Sequence, residues 1–93
     1  MTDGIKYIKN KYFVLLSFDG KFKFVSGVLN IIATLPAEIR PKMRAVCMVK
    51  INEINTTETT AIEVRTDGTI ITNGLYKYQN EEHYLLGTVI YFI

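Results

Sequence analysis

Few side chains in this sequence have the chemistry that catalysis needs. The 93 residues include one cysteine, Cys47, one histidine, His83, and two serines, Ser17 and Ser26. A nucleophilic site needs a cysteine or serine held beside a base, but Cys47 lies among apolar neighbours and is expected in the core. Glu81–Glu82 are adjacent, so on a strand they point apart, which does not suit paired acid and base catalysis. We therefore predict no catalytic residues and no enzyme activity.

Signals for a metal, a cofactor or a membrane span are also missing from the sequence. One histidine and one cysteine cannot build a His-based or Cys-based metal cluster. The six glycines are scattered through turns and form no phosphate-binding loop. No apolar run approaches the roughly 20 residues of a membrane span, and the N-terminal residues lack a signal-peptide hydrophobic region. We predict no metal, no cofactor and no membrane insertion.

The elements that must position any functional side chain are strands. A chain of 93 residues is expected to form one domain. Segments rich in β-branched and aromatic residues recur between turn signals, and both Asp19–Gly20 and Asp67–Gly68 are typical of tight hairpin turns. The predicted strands cover residues 12–18, 21–25, 28–35, 43–51, 59–65, 69–72 and 84–93. Between them, residues 52–58 form a polar loop, and residues 75–83 are part strand and part loop.

Two prolines predict a rigid corner in mid-sequence. Pro36 and Pro41 cannot donate to a strand ladder, and each favours extended geometry in the residue before it. Leu35 and Arg40 should therefore be extended, with at most one turn over residues 37–40. No segment combines a helix cap with a 3.6-residue period. The sequence predicts an all-β fold, a small antiparallel β-sandwich or jelly-roll-like barrel of about seven strands.

The last strand indicates a second burial surface, because both sets of alternating positions in residues 84–93 are apolar. A strand that is apolar on both faces is buried on both, and a subunit interface supplies such a surface. The alternative is a central strand packed beneath a long loop. We predict oligomerisation, with these residues at the interface: Val46, Met48, Ile90, Tyr91 and Phe92.

The charge pattern does not by itself indicate a nucleic-acid partner. The net charge is +2, from 11 basic and 9 acidic side chains. An oligonucleotide-binding β-barrel needs exposed aromatic side chains interleaved with basic ones. The alternation Lys21-Phe22-Lys23-Phe24 predicts instead that the phenylalanines face the core and the lysines face solvent. Such a barrel is an alternative to the function developed below.

Three motifs lie in a characteristic order along the chain: Leu35-Pro36, Arg40-Pro41 and the turn Asp67-Gly68-Thr69-Ile70, followed by an aromatic final strand. In this layout the chain resembles the C-terminal head domains of tailed-phage tail-tip and baseplate proteins. It is similar to the receptor-binding heads of lactococcal siphophages. The resemblance covers roughly residues 12–93, so residues 1–11 would be a segment that leads from a stalk.

The resemblance implies an architecture, a location and a function. Such heads are small β-sandwiches or barrels that form homotrimers, with the last strands near the three-fold axis. They bind cell-wall or capsular saccharides of the bacterial host and are not enzymes. The chain would then be a phage or prophage receptor-binding head, made in the host cytoplasm and located at the tail tip of the virion beside upstream tail or baseplate proteins. The alternative within the same fold is a structural trimerisation or fibre-capping domain without a ligand.

The resemblance also implies where a saccharide would bind. In the lactococcal heads, polar side chains on the strand before the D-G turn help to hold the sugar. Here Thr59, Ala61, Glu63 and Arg65 share one face of that strand, and the Glu63 carboxylate could accept hydrogen bonds from sugar hydroxyls. Ala61 departs from the pattern, since a polar residue would be expected there. The sugar-stacking tryptophan of the lactococcal heads is also missing, because the chain has no tryptophan.

Other side chains extend the predicted saccharide site. Tyr76 or Tyr78 could replace the tryptophan as an apolar platform for a sugar ring. The predicted binding set is Glu63, Arg65, Tyr76, Tyr78 and His83. The alternatives are a surface ion pair of low energy for Glu63 with Arg65, and a place at the rim of the core for either tyrosine.

Overall fold

The computed structural model describes residues 4–23, 30–53, 58–73 and 82–93, and every structural statement below refers to these ranges. They contain seven strands and one turn of 3-10 helix. The strands are β1 (Ile5–Lys9), β2 (Phe13–Lys23), β3 (Asn30–Thr34), β4 (Ala45–Ile51), β5 (Thr59–Val64), β6 (Thr69–Asn73) and β7 (Glu82–Phe92), with the 3-10 turn at Ala37–Ile39 between β3 and β4. The predicted all-β class with about seven strands is confirmed.

The strands form one antiparallel sheet in the order β1-β2-β7-β4-β5-β6-β3, curled into a half-barrel. The two halves of the sheet meet between β4 and β7, where the register contains only the pairs Lys50↔Leu86 and Ile51↔Leu85. Gly87 permits this close crossing, since a Cβ added there would lie 2.7 Å from Cγ1 of Val49. Beyond these pairs the two strands diverge, and a cleft opens between the start of β4 and the end of β7.

Alternation of apolar and polar residues decides which face of each strand is buried. In β2, β5 and β7 every second side chain is buried, as expected for strands with one face on a core. The inward-facing apolar residues form a single cluster on the concave face, which we call the inner face. Its fully buried members include Val14, Leu16, Phe18, Ile51, Ile62, Val64, Ile70 and Leu85. The convex face, which we call the outer face, carries the remaining side chains.

The predicted turn at Asp19–Gly20 is wrong, because β2 continues through both residues and pairs with β7 from Phe13↔Phe92 to Lys23↔Glu82. Gly20 instead allows its backbone to pack closely against the backbone at Gly4. A Cβ on Gly20 would lie 2.6 Å from the Cα of Gly4, and the Asp19 N–H donates to the Gly4 carbonyl at 2.8 Å. Phe22 is buried and its neighbours Lys21 and Lys23 are exposed, as the alternation predicted, whereas Phe24 lies outside the described residues.

The sheet also begins earlier than the boundary predicted at residue 12. Ile5–Lys9 forms β1, which pairs with β2 along its whole length. Ile5 is buried in the main core. These residues are therefore part of the domain and not a segment that precedes it, because burial of Ile5 ties β1 to the same core.

The proline corner packs against the end of the β5–β6 hairpin. Leu35 and Ile39 are fully buried, and burial of each is worth roughly 1.5–3 kcal/mol. The Leu35 N–H donates to the Gly68 carbonyl at 2.8 Å, and the Tyr91 hydroxyl donates to the Ile39 carbonyl at 2.6 Å. Arg40 is extended, with φ −76° and ψ 138°. The predicted corner is confirmed, and it joins β3 to β4 across the ends of the two strands between them.

The Asp67–Gly68 turn is built for this contact. Gly68 has φ +89°, a left-handed conformation that L-residues rarely adopt. A Cβ at Gly68 would lie 2.5 Å from Nε of Arg40 and 2.9 Å from the Leu35 carbonyl oxygen. Arg40 itself donates from Nε to the Leu35 carbonyl at 3.1 Å. Glycine is required here both by the backbone and by the corner that covers it.

We expect Gly68→Ala to destabilise the fold by about 2 kcal/mol or more, because it adds left-handed strain and a clash with Arg40 and Leu35. Thr66→Ala in the same turn is the matched control, since Thr66 is exposed and its truncation should change stability by less than about 0.5 kcal/mol. Urea unfolding of both variants measures the difference. Equal stability of the two would show that the corner does not press on the turn.

We expect Tyr91→Phe to cost about 1–3 kcal/mol, because it leaves the buried Ile39 carbonyl without its donor. Tyr12→Phe is the control, as Tyr12 is 63% exposed. Burial raises the pKa of Tyr91 to about 12, whereas an unfolded tyrosine titrates near 10. The stability that this shift represents is complete below pH 10 and is lost as the pH rises to about 12.

The stability advantage of the wild type over Tyr91→Phe should therefore shrink between pH 10 and pH 12. Denaturant unfolding at several pH values checks this. An advantage that is constant through that range would contradict the burial of the Tyr91 hydroxyl.

Candidate functional site

Polar side chains gather where β5 ends and the Asp67–Gly68 turn begins. They line an open depression whose residues are Arg44, Glu63, Arg65, Thr66 and Asp67. Glu63 lies on β5 opposite Val46 of β4, and Arg44 directly precedes β4. The register of β4 against β5 thus brings Arg44 next to Glu63.

Two arginines hold the Glu63 carboxylate. Nη1 of Arg44 lies 3.3 Å from Oε1, and Nε of Arg65 lies 2.6 Å from Oε2. The Glu63 side chain is only 16% exposed, whereas those of Arg44 and Arg65 are 74% and 42% exposed. A guanidinium has five N–H donors, and Glu63 takes one from each arginine. Glu63 therefore anchors both arginines, and their remaining N–H groups are available to donate toward solvent.

The Asp67 carboxylate accepts hydrogen bonds from within the turn itself. Its Oδ1 accepts from the Thr69 backbone N–H at 2.9 Å and from the Thr69 hydroxyl at 2.7 Å. These bonds, with smaller contributions from Arg65 and Arg40, lower the pKa of Asp67 below its ordinary value. The carboxylate therefore stays ionised and keeps the edge of the depression negative.

The predicted face of β5 is confirmed. Thr59, Ala61, Glu63 and Arg65 lie on the exposed side of the strand, and Thr60, Ile62 and Val64 are buried. Sequence reasoning found Glu63 and Arg65 but missed Arg44, Thr66 and Asp67. The signal for Thr66 and Asp67 was their place in the predicted turn. Arg44 gave no such signal, since its contact depends on the β4–β5 register.

His83 does not join this site. It lies on the inner face, opposite Phe22 in the register with β2, and is only 6% exposed. Its Nδ1 lies 2.5 Å from Oε1 of Glu53. The prediction that His83 acts together with Glu63 and Arg65 is therefore wrong, because alternation along β7 turns its ring toward the core.

The predicted tyrosine platform is not part of the described structure. Tyr76 and Tyr78 lie outside the described residues, so their role in saccharide binding stays a prediction. Ala61 pairs with Met48 across β4 and β5. The exposed face of β5 is therefore apolar at residue 61, where the resemblance implies a polar side chain that contacts the sugar.

Four of the five predicted interface residues are exposed on the outer face. Val46, Met48, Ile90 and Phe92 are 59–76% exposed in the single chain. Tyr91 is the exception, since it is buried in the chain's own core and bonded to Ile39. The assignment of Tyr91 to an interface is wrong, because its side chain lies on the inner face of β7.

Burial and hydrogen bonding shift the pKa values of two further reactive side chains, Cys47 and Tyr84. Cys47 is half-buried, and burial raises the pKa of its thiol. A raised pKa disfavours the thiolate that a nucleophilic cysteine needs. Tyr84 donates its hydroxyl to the Asp19 carboxylate on the outer face, and this bond raises the pKa of Tyr84.

Among the described residues, no three or more His, Cys, Asp or Glu side chains are grouped so that they could hold a metal ion. In the same part of the chain no helix is long and apolar enough to cross a membrane. No protein-family model and no curated protein matches the chain.

We expect Thr69→Val to raise the pKa of Asp67, because the side-chain donor that contributes most to its lowering is removed. Carbon-detected NMR titration of the carboxyl group measures the change, with Thr66→Val as the control. A group with a lowered folded-state pKa stabilises the fold above its unfolded pKa of about 3.9 and loses that stabilisation as the pH falls through the folded value. The difference in melting temperature between wild type and Thr69→Val should therefore narrow below about pH 4, and a constant difference would argue against this role.

Proposed function

We propose that this chain is the receptor-binding head of a phage or prophage tail, and that it attaches to a saccharide of the host cell surface. The observation that carries the proposal is the open depression in which Arg44 and Arg65 hold Glu63. The resemblance of the proline and Asp-Gly motifs to tail-tip heads adds support. In this proposal the head works as a homotrimer at the tail tip, attached to upstream tail or baseplate proteins.

The chemistry of the depression suits hydroxyl-rich ligands. A carboxylate fixed by two guanidiniums accepts hydrogen bonds from sugar hydroxyls without having to be ordered first, which limits the entropic cost of binding. The arginine N–H groups that face solvent donate to sugar oxygens. Binding of this kind requires no bond to be broken, so the proposed role is adhesion and not catalysis.

A shallow site of this size should bind weakly. A few hydrogen bonds and one stacking contact correspond to about 4–8 kcal/mol, which is millimolar to micromolar affinity. Several copies that act together raise the effective affinity, since each further contact is intramolecular once the first has formed. A trimer and a virion with many trimers would provide that multiplicity.

A purely structural role is the second candidate. It is favoured by the two protein partners of Glu63, as expected for an ion-pair cluster that only stabilises the fold. In that case the domain would cap or trimerise a tail fibre and bind no sugar. An oligonucleotide-binding barrel is less favoured, since Phe22 is in the core and is not exposed for base stacking.

The test is a pull-down of purified protein on intact bacteria and on cell-wall polysaccharide, followed by titration with a released oligosaccharide. We expect Glu63→Ala and Arg44→Ala each to weaken binding by about 5- to 150-fold, which corresponds to roughly 1–3 kcal/mol for a lost hydrogen-bond partner. Glu38→Ala is the matched control, because Glu38 is an exposed glutamate on the 3-10 turn. Tyr76→Ala and Tyr78→Ala test the predicted stacking platform in the same assay.

Each outcome is informative. If the wild type binds and the Glu63 and Arg44 variants bind equally well, the saccharide site is elsewhere on the head. If the wild type binds no surface or polysaccharide across a broad bacterial panel, the structural role replaces the proposed one.

A further inference from the structure

The cleft between the start of β4 and the end of β7 separates two strand edges of one sheet. It is lined by residues 42–45 and 90–92 and has a volume of about 380 Å³, and we call it the β4–β7 cleft. The ladder between the two strands contains only the pairs Ile51↔Leu85 and Lys50↔Leu86. From Lys50↔Leu86 toward the cleft, neither strand is paired with the other.

The backbone hydrogen bonds of β7 show which of its groups face the cleft. In an antiparallel pair, every second residue exchanges bonds with its partner, and the residues between direct their groups to the opposite side. The Ile93 N–H donates to the Tyr12 carbonyl at 3.0 Å, in line with the β2–β7 register. The Tyr84 carbonyl accepts from the Asn52 N–H at 2.8 Å, on the β4 side. Odd-numbered residues of β7 therefore bond to β2, and even-numbered residues direct their N–H and C=O groups toward β4.

The same alternation applies to β4. The Ile51 N–H donates to the Glu58 carbonyl at 2.9 Å, on the β5 side. Because the β4–β5 register is unbroken, every odd-numbered residue of β4 bonds to β5. The even-numbered residues therefore direct their N–H and C=O groups toward β7. Lys50 is one of them, and its pairing with Leu86 is the last of the ladder on the side of the cleft.

Beyond that pair, the groups that would continue the ladder have no hydrogen-bond partner within the described ranges. They belong to these residues: Val46, Met48, Thr88, Ile90 and Phe92. Backbone N–H and C=O groups are strong hydrogen-bonding groups, and an open strand edge is a template for another strand. The structure that complements this cleft is therefore an extended backbone.

The end of β7 lacks the devices that protect an exposed edge. Natural edge strands are commonly interrupted by charged residues or proline, and the edge strand β1 carries two lysines in five residues. Residues 84–93 contain neither a charged residue nor a proline. The side chains beside the cleft are apolar and exposed, at 60% for Ile90, 76% for Phe92 and 79% for Met43. An unprotected edge with apolar neighbours favours the addition of a strand.

The charge at the cleft indicates which extended segments fit it. Its lining contains Lys42 and Arg44 and no acidic residue. Arg44 already contacts Glu63, whereas Lys42 is exposed and forms no ion pair within the part of the chain that the structure describes. A carboxylate on the incoming segment would complement this lysine.

We propose that the β4–β7 cleft binds an extended acidic segment of a partner protein by strand addition. The backbone of the segment pairs with Ile90 and Phe92, its apolar side chains cover Met43 and Phe92, and one of its carboxylates contacts Lys42. The chain itself has a net charge of +2, so an acidic segment comes more readily from a different protein than from a second copy. The inference does not depend on saccharide binding, and it holds for an adhesive head and for a structural domain.

Hydrogen exchange followed by NMR tests the edge in the wild-type chain. The amides of Ile90 and Phe92 should exchange at least about ten times faster than those of Val89 and Tyr91, because only the latter donate to β2. A synthetic peptide of about eight residues, in which valine alternates with threonine between terminal aspartates, should then slow exchange at Ile90 and Phe92. Equal protection of all four amides in the free chain, or no change at about 1 mM peptide, would overturn the proposal.

The same measurement at several protein concentrations, without peptide, distinguishes a second copy from a different partner. Exchange at Ile90 and Phe92 should not depend on protein concentration. Protection that increases with concentration would show that copies of this chain occupy the edge, and would overturn the assignment to a different protein.

Peptide and protein variants test the individual contacts by fluorescence polarisation. N-methylation of alternate peptide amides removes the donors that face one edge, so one methylated set should abolish binding. Exchange of the terminal aspartates for lysines, or Lys42→Glu in the protein, should each weaken binding by about 3- to 10-fold, and the two changes together should restore it. Lys9→Glu on β1 is the matched control and should leave binding unchanged. Binding that tolerates both methylated sets would refute strand addition, and an unaffected Lys42→Glu variant would refute the acidic partner.

Discussion

The contact between the proline corner and the Asp67–Gly68 turn is the constraint on which the rest of the structure depends. In the sheet order, β3 lies at the far edge and β4 lies near the middle, so the chain between them must cross the ends of β5 and β6. It does so by burying Leu35 and Ile39 and by hydrogen bonding to the turn that it crosses. Without that contact the half-barrel would lose the side chains that cover this end of its core.

The same contact determines where the polar cluster forms. The corner fixes where β4 begins, and therefore sets Arg44 beside the end of β5. The turn beneath it fixes Arg65 and Asp67 at the other side of Glu63. A site assembled from β4, β5 and one turn in this way is held on a rigid scaffold, although its side chains face solvent. The proposed ligand-binding role of the arginines is thus compatible with a structural one.

Local patterns were sufficient to predict much of the fold but little of the site. Period-two alternation identified the buried Phe22 of β2 and the shared face of Thr59, Ala61, Glu63 and Arg65, and the prolines identified the corner. It did not identify the buried face of β7, because both faces of that strand are apolar. The two Asp-Gly pairs show the limit, because Asp67–Gly68 turns the chain whereas Asp19–Gly20 lies within a strand, where Gly20 packs against Gly4. Arg44 and Tyr91 were missed or misplaced for the same reason. Their partners, Glu63 and Ile39, are set by strand register and sheet order, which short sequence patterns do not encode.

The pairing of β2 with β7 has a consequence for how the chain folds. It is the longest ladder in the sheet, and it joins residues about 60 to 80 positions apart in the sequence. Closing so long a loop must come before β2 and β7 can gain the hydrogen bonds of this ladder, so folding should be slow for a domain of this length. Until β7 arrives, β2 has an open edge with apolar side chains next to it, and nascent or refolding chains are then most exposed to mispairing with one another.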